Sequence, residues 1–241
     1  MSALGRGGQF LGDVGRSLRE TDTWVSLTAV QMRRIGVQSL PIALFIAVFA
    51  GIVLALLSSY SFTGAVPLYF VGTFVGKAMM LELAPVLVGL ALAGRVGANI
   101  AAELGTMRVT EQVDALETLA FNPNAYLVVP RALAATAMFP VVVALATGLG
   151  IVAGWFTAIN LLDLSSPDFV KGLRLFYQFK DVWFGLLKAM SFGFVIAMIG
   201  CYKGLNTRGG AEGVGRETTA AVVMGAEMIL VLDAFWAVVL L

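Results

Sequence analysis

Long apolar runs, separated by short polar stretches, constrain the fold of this chain more than any other feature. The longest run covers about residues 66–102. As a helix it would extend roughly 55 Å, whereas the hydrocarbon core of a bilayer is ~30 Å thick. Only 13% of the residues are charged and 59% are hydrophobic, against roughly 25% and 45–50% in soluble domains. The runs therefore predict an all-α integral membrane protein.

Five transmembrane helices account for the apolar runs. We place them at about 40–59, within 66–102, within 128–162, at about 182–202 and at about 218–240. Pro85 lies inside the second run, and because proline removes a helical hydrogen bond we expect a bend or break there. Residues 39–241 are thus predicted to form a five-span domain, preceded by a separate segment of residues 1–38.

The N-terminal segment is too polar to cross a membrane, but it repeats apolar residues among its arginines. The apolar positions are Phe10, Leu11, Val14, Leu18, Trp24, Leu27 and Val30. This pattern predicts an interfacial amphipathic helix on the inner membrane surface, most clearly over residues 24–38. For residues 1–20 a disordered basic tail is the alternative.

The lysines and arginines set the expected orientation, because cytoplasmic loops of membrane proteins carry an excess of cations. With the N-terminus inside, eleven cations fall on the cytoplasmic side and three on the other. The eleven are Arg6, Arg16, Arg19, Arg33, Arg34, Arg95, Arg108, Arg131, Lys203, Arg208 and Arg216, and the three are Lys171, Arg174 and Lys180. The sequence predicts a cytoplasmic N-terminus and an external C-terminus.

The residues required for several kinds of chemistry are absent. The chain has no histidine and one cysteine, Cys201, so it lacks an intrachain disulfide and the usual haem and zinc ligands. It also lacks the G-x-S-x-G motif and a D-x-x-x-D cluster, which argues against a lipid-modifying enzyme. Residues 72–78 look like a phosphate-binding loop, but the spacing is one residue too short and the Ser or Thr is missing. We expect no cofactor, metal site, catalytic residue or nucleic-acid partner, and we expect any ATPase to be another chain.

Charged residues gather in residues 93–131, between the second and third spans. They are Arg95, Glu103, Arg108, Glu111, Asp114, Glu117 and Arg131. Within this stretch, residues 110–121 have the pattern of a short amphipathic helix, with Thr110 as its N-cap and Asn122-Pro123 as its end. Its apolar stripe comprises Val109, Val113, Leu116 and Ala120. Because anionic lipid repels acidic side chains, the helix favours a protein partner.

Ionisable residues also occur within the apolar spans. They are Lys77, Glu82, Lys188, Glu227 and Asp233. A charge at the centre of the bilayer costs roughly 3 kcal/mol or more, so these groups should pair or face a wet cavity. We predict that Glu82 pairs with Lys188 beside a cavity that faces the outer side. The alternative is a purely structural role for Glu82 near an interface.

Small residues are frequent at the end of the second run. They are Gly89, Ala93, Gly94, Gly97, Ala98, Ala101 and Ala102. Small residues at helical spacing let two helices approach closely in a membrane. The pattern suits a seam between two copies of the chain and packing within one copy equally well.

Two separated motifs carry a family resemblance. Residues 81–131 read LELAPVLVGLALAGRVGANIAAELGTMRVTEQVDALETLAFNPNAYLVVPR, and residues 200–223 read GCYKGLNTRGGAEGVGRETTAAVV. Together they resemble the MlaE-type permeases, also called YrbE-type, of MCE-associated ABC transporters, over about residues 35–241. In this family a basic residue often precedes the motif glutamate, whereas Leu81 precedes Glu82 here.

The resemblance implies a homodimeric permease subunit in the bacterial cytoplasmic (inner) membrane. Such a subunit moves lipids, typically phospholipids, together with a separate ABC ATPase and an MCE-domain lipid-binding protein. It implies that a coupling loop at about 103–127 contacts the ATPase. Because two opposite charges in apolar spans should not stay unpaired, we predict that Glu82 and Lys188 line the lipid pathway. The expected coupling residues are Glu103, Arg108, Thr110, Glu111, Asp114 and Leu116.

Two other kinds of function remain as alternatives. An ion-coupled secondary transporter would use an intramembrane acid such as Glu227, but such proteins commonly have repeated halves and no repeat is evident here. A non-catalytic membrane scaffold would leave the charged loop without an ATP-driven partner. Association with an ATPase distinguishes the permease from both.

Overall fold

Helices make up all of the regular structure in the residues that the computed structural model describes, which are 3–18, 21–62 and 66–240. Eleven α-helices follow one another in these ranges. They are α1 (Ala3–Ser17), α2 (Thr21–Ile35), α3 (Leu40–Ser61), α4 (Phe70–Ala78), α5 (Ala84–Leu92), α6 (Ala98–Val109), α7 (Gln112–Thr118), α8 (Val129–Leu161), α9 (Ser166–Leu175), α10 (Phe179–Leu205) and α11 (Gly210–Leu240). The prediction of an all-α membrane protein is confirmed.

Five helical segments among the described residues are long and apolar enough to cross a membrane, as predicted. They are Trp24–Ser61, Phe70–Val109, Asn124–Leu161, Phe179–Leu205 and Gly210–Val239. The first is longer than predicted because a short 3₁₀ turn, Val37–Ser39, joins α2 to α3. The third starts earlier than predicted, with a π-helical turn at Asn124–Val128. Just before it, the Asn122 side chain accepts a hydrogen bond from the Asn124 N–H at 3.0 Å.

Of the expected bend or break at Pro85, the break does not occur, and a bend stays a prediction. The chain stays helical from Phe70 to Val109, with π-helical turns at Met79–Leu83 and Ala93–Gly97. The first of these turns ends just before α5, in which Pro85 is the second residue. Local π-helical adjustment is one way in which membrane helices accommodate a proline.

The chain packs as two compact units. The first contains the described parts of 1–38, 92–139 and 190–241. Within it α11 packs along α6, and α10 approaches α6 so closely that a Cβ on Gly204 would lie 2.7 Å from the Leu104 Cβ. Gly97 and Ala101 contact the same stretch of α10, so these two small residues serve packing within the chain.

The second unit contains the described parts of 39–91 and 140–189. In it α3 and α8 cross at two glycines, where a Cβ on Gly51 would lie 1.9 Å from the Gly150 carbonyl oxygen. Helix α9 lies equally close to the start of α4, since a Cβ on Gly172 would lie 1.7 Å from the Tyr69 carbonyl oxygen. Phe169 of α9 is buried in this contact.

Two helices, α1 and α2, form the N-terminal segment for which a single amphipathic helix was predicted. Helix α1 occupies much of the stretch for which a disordered tail was the alternative, and it packs on the first unit. Asn122 Nδ2 donates to the Ser17 hydroxyl at 3.0 Å, and the Phe10 and Tyr202 rings meet edge to face at 5.5 Å. The division at residue 38 and the interfacial position of these helices stay predictions.

Candidate functional site

Glu82 and Lys188 form the predicted ion pair, within the second unit. Glu82 lies on the π-helical turn Met79–Leu83 and Lys188 on α10, with 2.7 Å between Lys188 Nζ and Glu82 Oε2. The Lys188 side chain is 0% exposed, whereas the Glu82 side chain is 44% exposed. In this pair the carboxylate side chain is therefore accessible, whereas the ammonium side chain is buried.

A second contact of Lys188 depends on Pro85. Lys188 Nζ also donates to the Leu81 carbonyl oxygen at 3.2 Å. Leu81 lies four residues before Pro85, and the proline nitrogen has no hydrogen with which to make the α-helical bond to that carbonyl. Because buried backbone acceptors need a partner, the lysine and the proline are parts of one local arrangement.

A further ion pair joins the same two helical segments. Lys77 Nζ of α4 lies 3.4 Å from Asp181 Oδ2 of α10, and the Asp181 side chain is buried. In this pair α10 supplies the acid, whereas in the Glu82–Lys188 pair α10 supplies the base. Sequence reasoning missed Asp181, which stands beside Lys180 in what looked like a polar loop.

The second unit contains an apolar cleft, and some of its lining residues are close in the sequence to the two ion pairs. It has a volume of about 200 Å³ and draws part of its lining from Met80, Val182 and Gly185, in the segments that carry the paired residues. Thr147 and Ile151 of α8 complete another wall. Apart from the Thr147 hydroxyl these side chains are apolar, so the cleft suits a hydrocarbon group.

The other two acids of the spans lie on α11. Glu227 is exposed and makes no hydrogen bond or ion pair with any residue that the structure describes, while Asp233 is half-buried. The apolar residues around Glu227 are exposed as well, notably Met224, Val231 and Phe235. This face of α11 is apolar with one carboxylate in its middle.

The connection between α6 and α7 differs from its prediction. Thr110 is not the N-cap of α7 but ends α6, and its hydroxyl donates to the Thr106 carbonyl oxygen at 2.8 Å. Glu111 then adopts a left-handed conformation with φ 61°, so α7 begins only at Gln112. It ends at Thr118, before a second left-handed residue, Ala120, rather than at Asn122-Pro123. Threonine hydroxyls commonly bond to the preceding turn, which explains why the predicted cap is not formed.

The remaining coupling candidates lie on or beside α7. Glu111 and Asp114 are exposed, and Leu116 is half-buried. Arg108 donates a short hydrogen bond to Asp114 and so ties the end of α6 to α7. The structure brings these four residues together on one short stretch of the first unit.

Two apolar residues next to α7 are exposed, and the sequence pattern did not single them out. Leu119 is 68% exposed and Phe121 is 49% exposed. The helical periodicity places both residues off the apolar stripe of Val109, Val113, Leu116 and Ala120. The left-handed Ala120 lies between them, beyond the end of α7.

Glu103 bridges two arginines within the first unit. Its Oε1 lies 3.2 Å from Arg34 Nη1 of α2, and its Oε2 lies 3.1 Å from Arg131 Nη2 of α8. Arg131 is buried, and its Nη1 donates to the Leu127 carbonyl oxygen at 2.6 Å. The bridge connects α2, α6 and α8, while a contact of Glu103 with a partner chain stays a prediction.

A sequence model of the family described as Permease MlaE matches residues 28–239. Curated relatives are similar over most of the chain as well. A probable ABC transporter permease protein of Rickettsia prowazekii (strain Madrid E) is 43% identical over 215 residues, which are 89% of this chain and 83% of the relative. One from Synechocystis sp. (strain ATCC 27184 / PCC 6803 / Kazusa) is 40% identical over 208 residues, 86% of this chain and 79% of the relative.

A plant protein is more distantly similar. The Arabidopsis thaliana protein named Trigalactosyldiacylglycerol 1, chloroplastic, is 32% identical over 206 residues, which are 86% of this chain and 59% of the relative. The matched part of this chain includes both ion pairs and α7.

Proposed function

The chain belongs to the MlaE permease family, and we propose that it forms the membrane pathway of an ATP-driven lipid transporter. The family shows a membrane permease of the ABC transporter type. What we propose is that its transported substrate is a lipid, which the experiment below represents by a phospholipid. The observation that carries this proposal is the ion pair of buried Lys188 with half-exposed Glu82 inside apolar segments. Charged groups within membrane spans mark substrate pathways more often than they serve packing alone.

The arrangement of the pair supports an amphipathic substrate. The ammonium group of Lys188 is satisfied by Glu82 and the Leu81 carbonyl, so the accessible polar group is the Glu82 carboxylate. A carboxylate accepts hydrogen bonds, so it suits hydroxyl or ammonium donors of a lipid headgroup. The apolar cleft beside Met80 suits an acyl chain. A lipid is also consistent with the name of the Arabidopsis relative, which is that of a glycolipid.

The ATPase is a separate cytoplasmic subunit in this proposal, as the ABC transporter family implies. Its contact surface is α7 with the residues next to it. The exposed acids Glu111 and Asp114 supply charge, and Leu119 and Phe121 supply apolar area, which is the combination that protein interfaces use. Arg108, through its ion pair with Asp114, holds α7 against α6.

A second copy of the chain is the other membrane partner. The exposed face of α11 supports this, because Glu227 in its middle would otherwise meet hydrocarbon at a cost of roughly 3 kcal/mol or more. A second copy would cover that face or enclose a wet cavity against it. An MCE-domain protein then receives or delivers the lipid on the outer side of the bacterial inner membrane, where the C-terminus lies, with the N-terminus in the cytoplasm.

The test is ATP-dependent transfer of a fluorescent phospholipid from proteoliposomes that hold the chain with its ATPase and MCE-domain partners. Glu82→Gln and Lys188→Met should each slow transfer about ten-fold, the equivalent of 1.4 kcal/mol in the barrier. The exchange of Glu82→Lys together with Lys188→Glu should recover part of the rate. Asp163→Asn, in an exposed turn of the loop before α9, is the control and should transfer like the wild type. Wild-type rates in both single variants would contradict the proposed pathway.

A further inference from the structure

A polar cleft of about 200 Å³ lies between α2 and the stretch from the Ala93–Gly97 turn into α6. Its polar lining comprises Gln31, Arg34, Gln38, Arg95, Asn99 and Glu103. All of these residues belong to the first unit, whereas the Glu82–Lys188 pair belongs to the second. The cleft is therefore built from residues that the proposed transport pathway does not use.

The charges around the cleft are predominantly positive. Arg34 and Arg95 line it together with one acid, Glu103. Two guanidinium groups thus line the cleft against one carboxylate, a formal excess of one positive charge, and Glu103 also pairs with the buried Arg131. A concave surface with an excess of one sign concentrates ligands of the opposite sign.

The type of cation indicates the type of anion. Guanidinium groups offer planar, forked donors that match the oxygens of phosphate, and they lose hydration more easily than ammonium groups. The amides of Gln31, Gln38 and Asn99 add uncharged donors at the same cleft. The donor set thus suits a phosphate group that several N–H groups hold at once.

The apolar part of the lining indicates that the phosphate belongs to a lipid. Ile35, Val96 and Ile100 also line the cleft and are buried. The neighbouring surface of α2 exposes Val30 and Arg33 side by side with the cleft residues, a pattern typical of helices at the surface of a bilayer. Basic pockets between membrane helices on the cytoplasmic side bind anionic lipid headgroups.

We propose that this cleft binds the phosphate of an anionic phospholipid from the leaflet that α2 borders. Arg34 and Arg95 hold the phosphate oxygens, and Glu103 keeps Arg34 oriented from the opposite side. The lipid at this site is a resident ligand that anchors α2, and the proposal requires the predicted position of α2 at the membrane surface but no particular transported substrate.

The experiment measures lipid retention by the purified full-length chain in detergent, using native mass spectrometry and thermal unfolding. The probes are phosphatidylglycerol, phosphatidylcholine and inorganic phosphate. The variants are Arg34→Gln and Arg95→Gln, with Arg34→Lys to preserve the charge and Arg33→Gln as the matched control, because Arg33 is exposed beside the cleft but does not line it.

We expect phosphatidylglycerol to bind the wild type and Arg33→Gln alike and to raise their unfolding temperatures. Arg34→Gln and Arg95→Gln should bind it at least ten-fold more weakly, and Arg34→Lys should fall between. Phosphatidylcholine should bind more weakly than phosphatidylglycerol, and millimolar inorganic phosphate should not displace the lipid. Should Arg95→Gln fail to fold, Arg34→Gln decides, since the Arg34 side chain is 54% exposed. Equal retention by Arg34→Gln and Arg33→Gln would overturn the site, and full displacement by inorganic phosphate would overturn its assignment to a lipid.

Discussion

The two residues of the Glu82–Lys188 ion pair differ in the burial of the charge that remains when the other residue is replaced. Without Glu82, a fully buried ammonium group would lose a carboxylate partner at 2.7 Å. Without Lys188, the remaining carboxylate would still be accessible, because nearly half of the Glu82 side chain is exposed. The same ion pair is therefore asymmetric in its energetics.

This asymmetry predicts unequal losses of stability in the isolated protein. Glu82→Gln should lower the free energy of unfolding by about 3–5 kcal/mol, since it removes the carboxylate that pairs with a buried charge. Lys188→Met should cost about 1–3 kcal/mol, mainly for the carbonyl that loses its donor. Thermal or denaturant unfolding in detergent measures both. A larger loss in Lys188→Met than in Glu82→Gln would show that the buried ammonium does not dominate.

The pairing of Glu82 with Lys188 could be predicted from sequence because opposite charges in apolar spans have few other ways to be satisfied. The contribution of Pro85 could not, because it depends on the π-helical turn that keeps the segment helical and brings the Leu81 carbonyl to Lys188. Asp181 was missed for a related reason. Only the packing of α4 against α10 shows that this acid is buried next to Lys77.

For helix α7, the hydrophobic periodicity of the sequence predicts that the helix exists but not where it begins and ends. The presence of a short helix between the second and third spans was predicted, and it is there. Its ends were wrong, because two left-handed residues, Glu111 and Ala120, set them, and propensity does not predict such conformations for non-glycine residues. Leu119 and Phe121 lie beyond the end of the helix and are exposed.

Charge reversal on α7 should weaken binding of the ATPase. In Glu111→Lys with Asp114→Lys, the acidic contact is inverted and the Arg108–Asp114 pair becomes a repulsion, so we expect at least ten-fold weaker association, about 1.4 kcal/mol. Co-purification from membranes and titration of the ATPase at two salt concentrations measure the effect. Asp13→Lys, on exposed α1, is the matched reversal and should bind normally. Full binding and full lipid-stimulated hydrolysis in the double variant would remove α7 from the interface.

The contact also has an apolar part that salt does not screen. Leu119→Ser should weaken association with the ATPase at high and low salt alike, because the exposed side chain contributes buried apolar area of the kind worth roughly 1.5–3 kcal/mol when fully covered. Isothermal titration at several salt concentrations separates this effect from the charge effect. A salt-dependent loss in Leu119→Ser would indicate a different origin.

In the whole molecule, the number of spans could be predicted because each apolar run is long enough for one crossing and too long for a soluble core. The division into two units could not, since three of its four boundaries fall inside α5, α8 and α10 rather than in loops. Membrane orientation was predicted from cation counts alone. Cysteines at Gln178 and Asn206, both exposed, test it in a Cys201→Ala background.

An impermeant thiol reagent should label position 178 in cells whose outer barrier is permeabilised, and position 206 only after the inner membrane is opened. The reason is that, Lys77 and Lys188 apart, eleven of the fourteen remaining cations lie on the side assigned to the cytoplasm. Labelling of position 206 in intact inner membranes would contradict the five-span arrangement with an inside N-terminus.

If two copies of the chain assemble through α11, cysteines on the exposed face of this helix should crosslink. A cysteine in place of Val231 should give a covalent dimer with a short thiol crosslinker, because this exposed apolar face is the proposed seam. Cysteine in place of Phe156, equally exposed on α8, is the control and should stay monomeric. Absence of dimer from positions 224, 231 and 235 alike would place the seam elsewhere.

The central claim, that Glu82 lies on the pathway of a transported lipid, is tested most directly by photo-crosslinking during turnover. A photoreactive residue at position 82 of the assembled transporter should capture lipid, and the yield should change when ATP is added. The same residue at Phe156, exposed on α8, should capture lipid to an extent that ATP does not alter. If position 82 captures no lipid, or captures it without any response to ATP, the pathway does not pass Glu82.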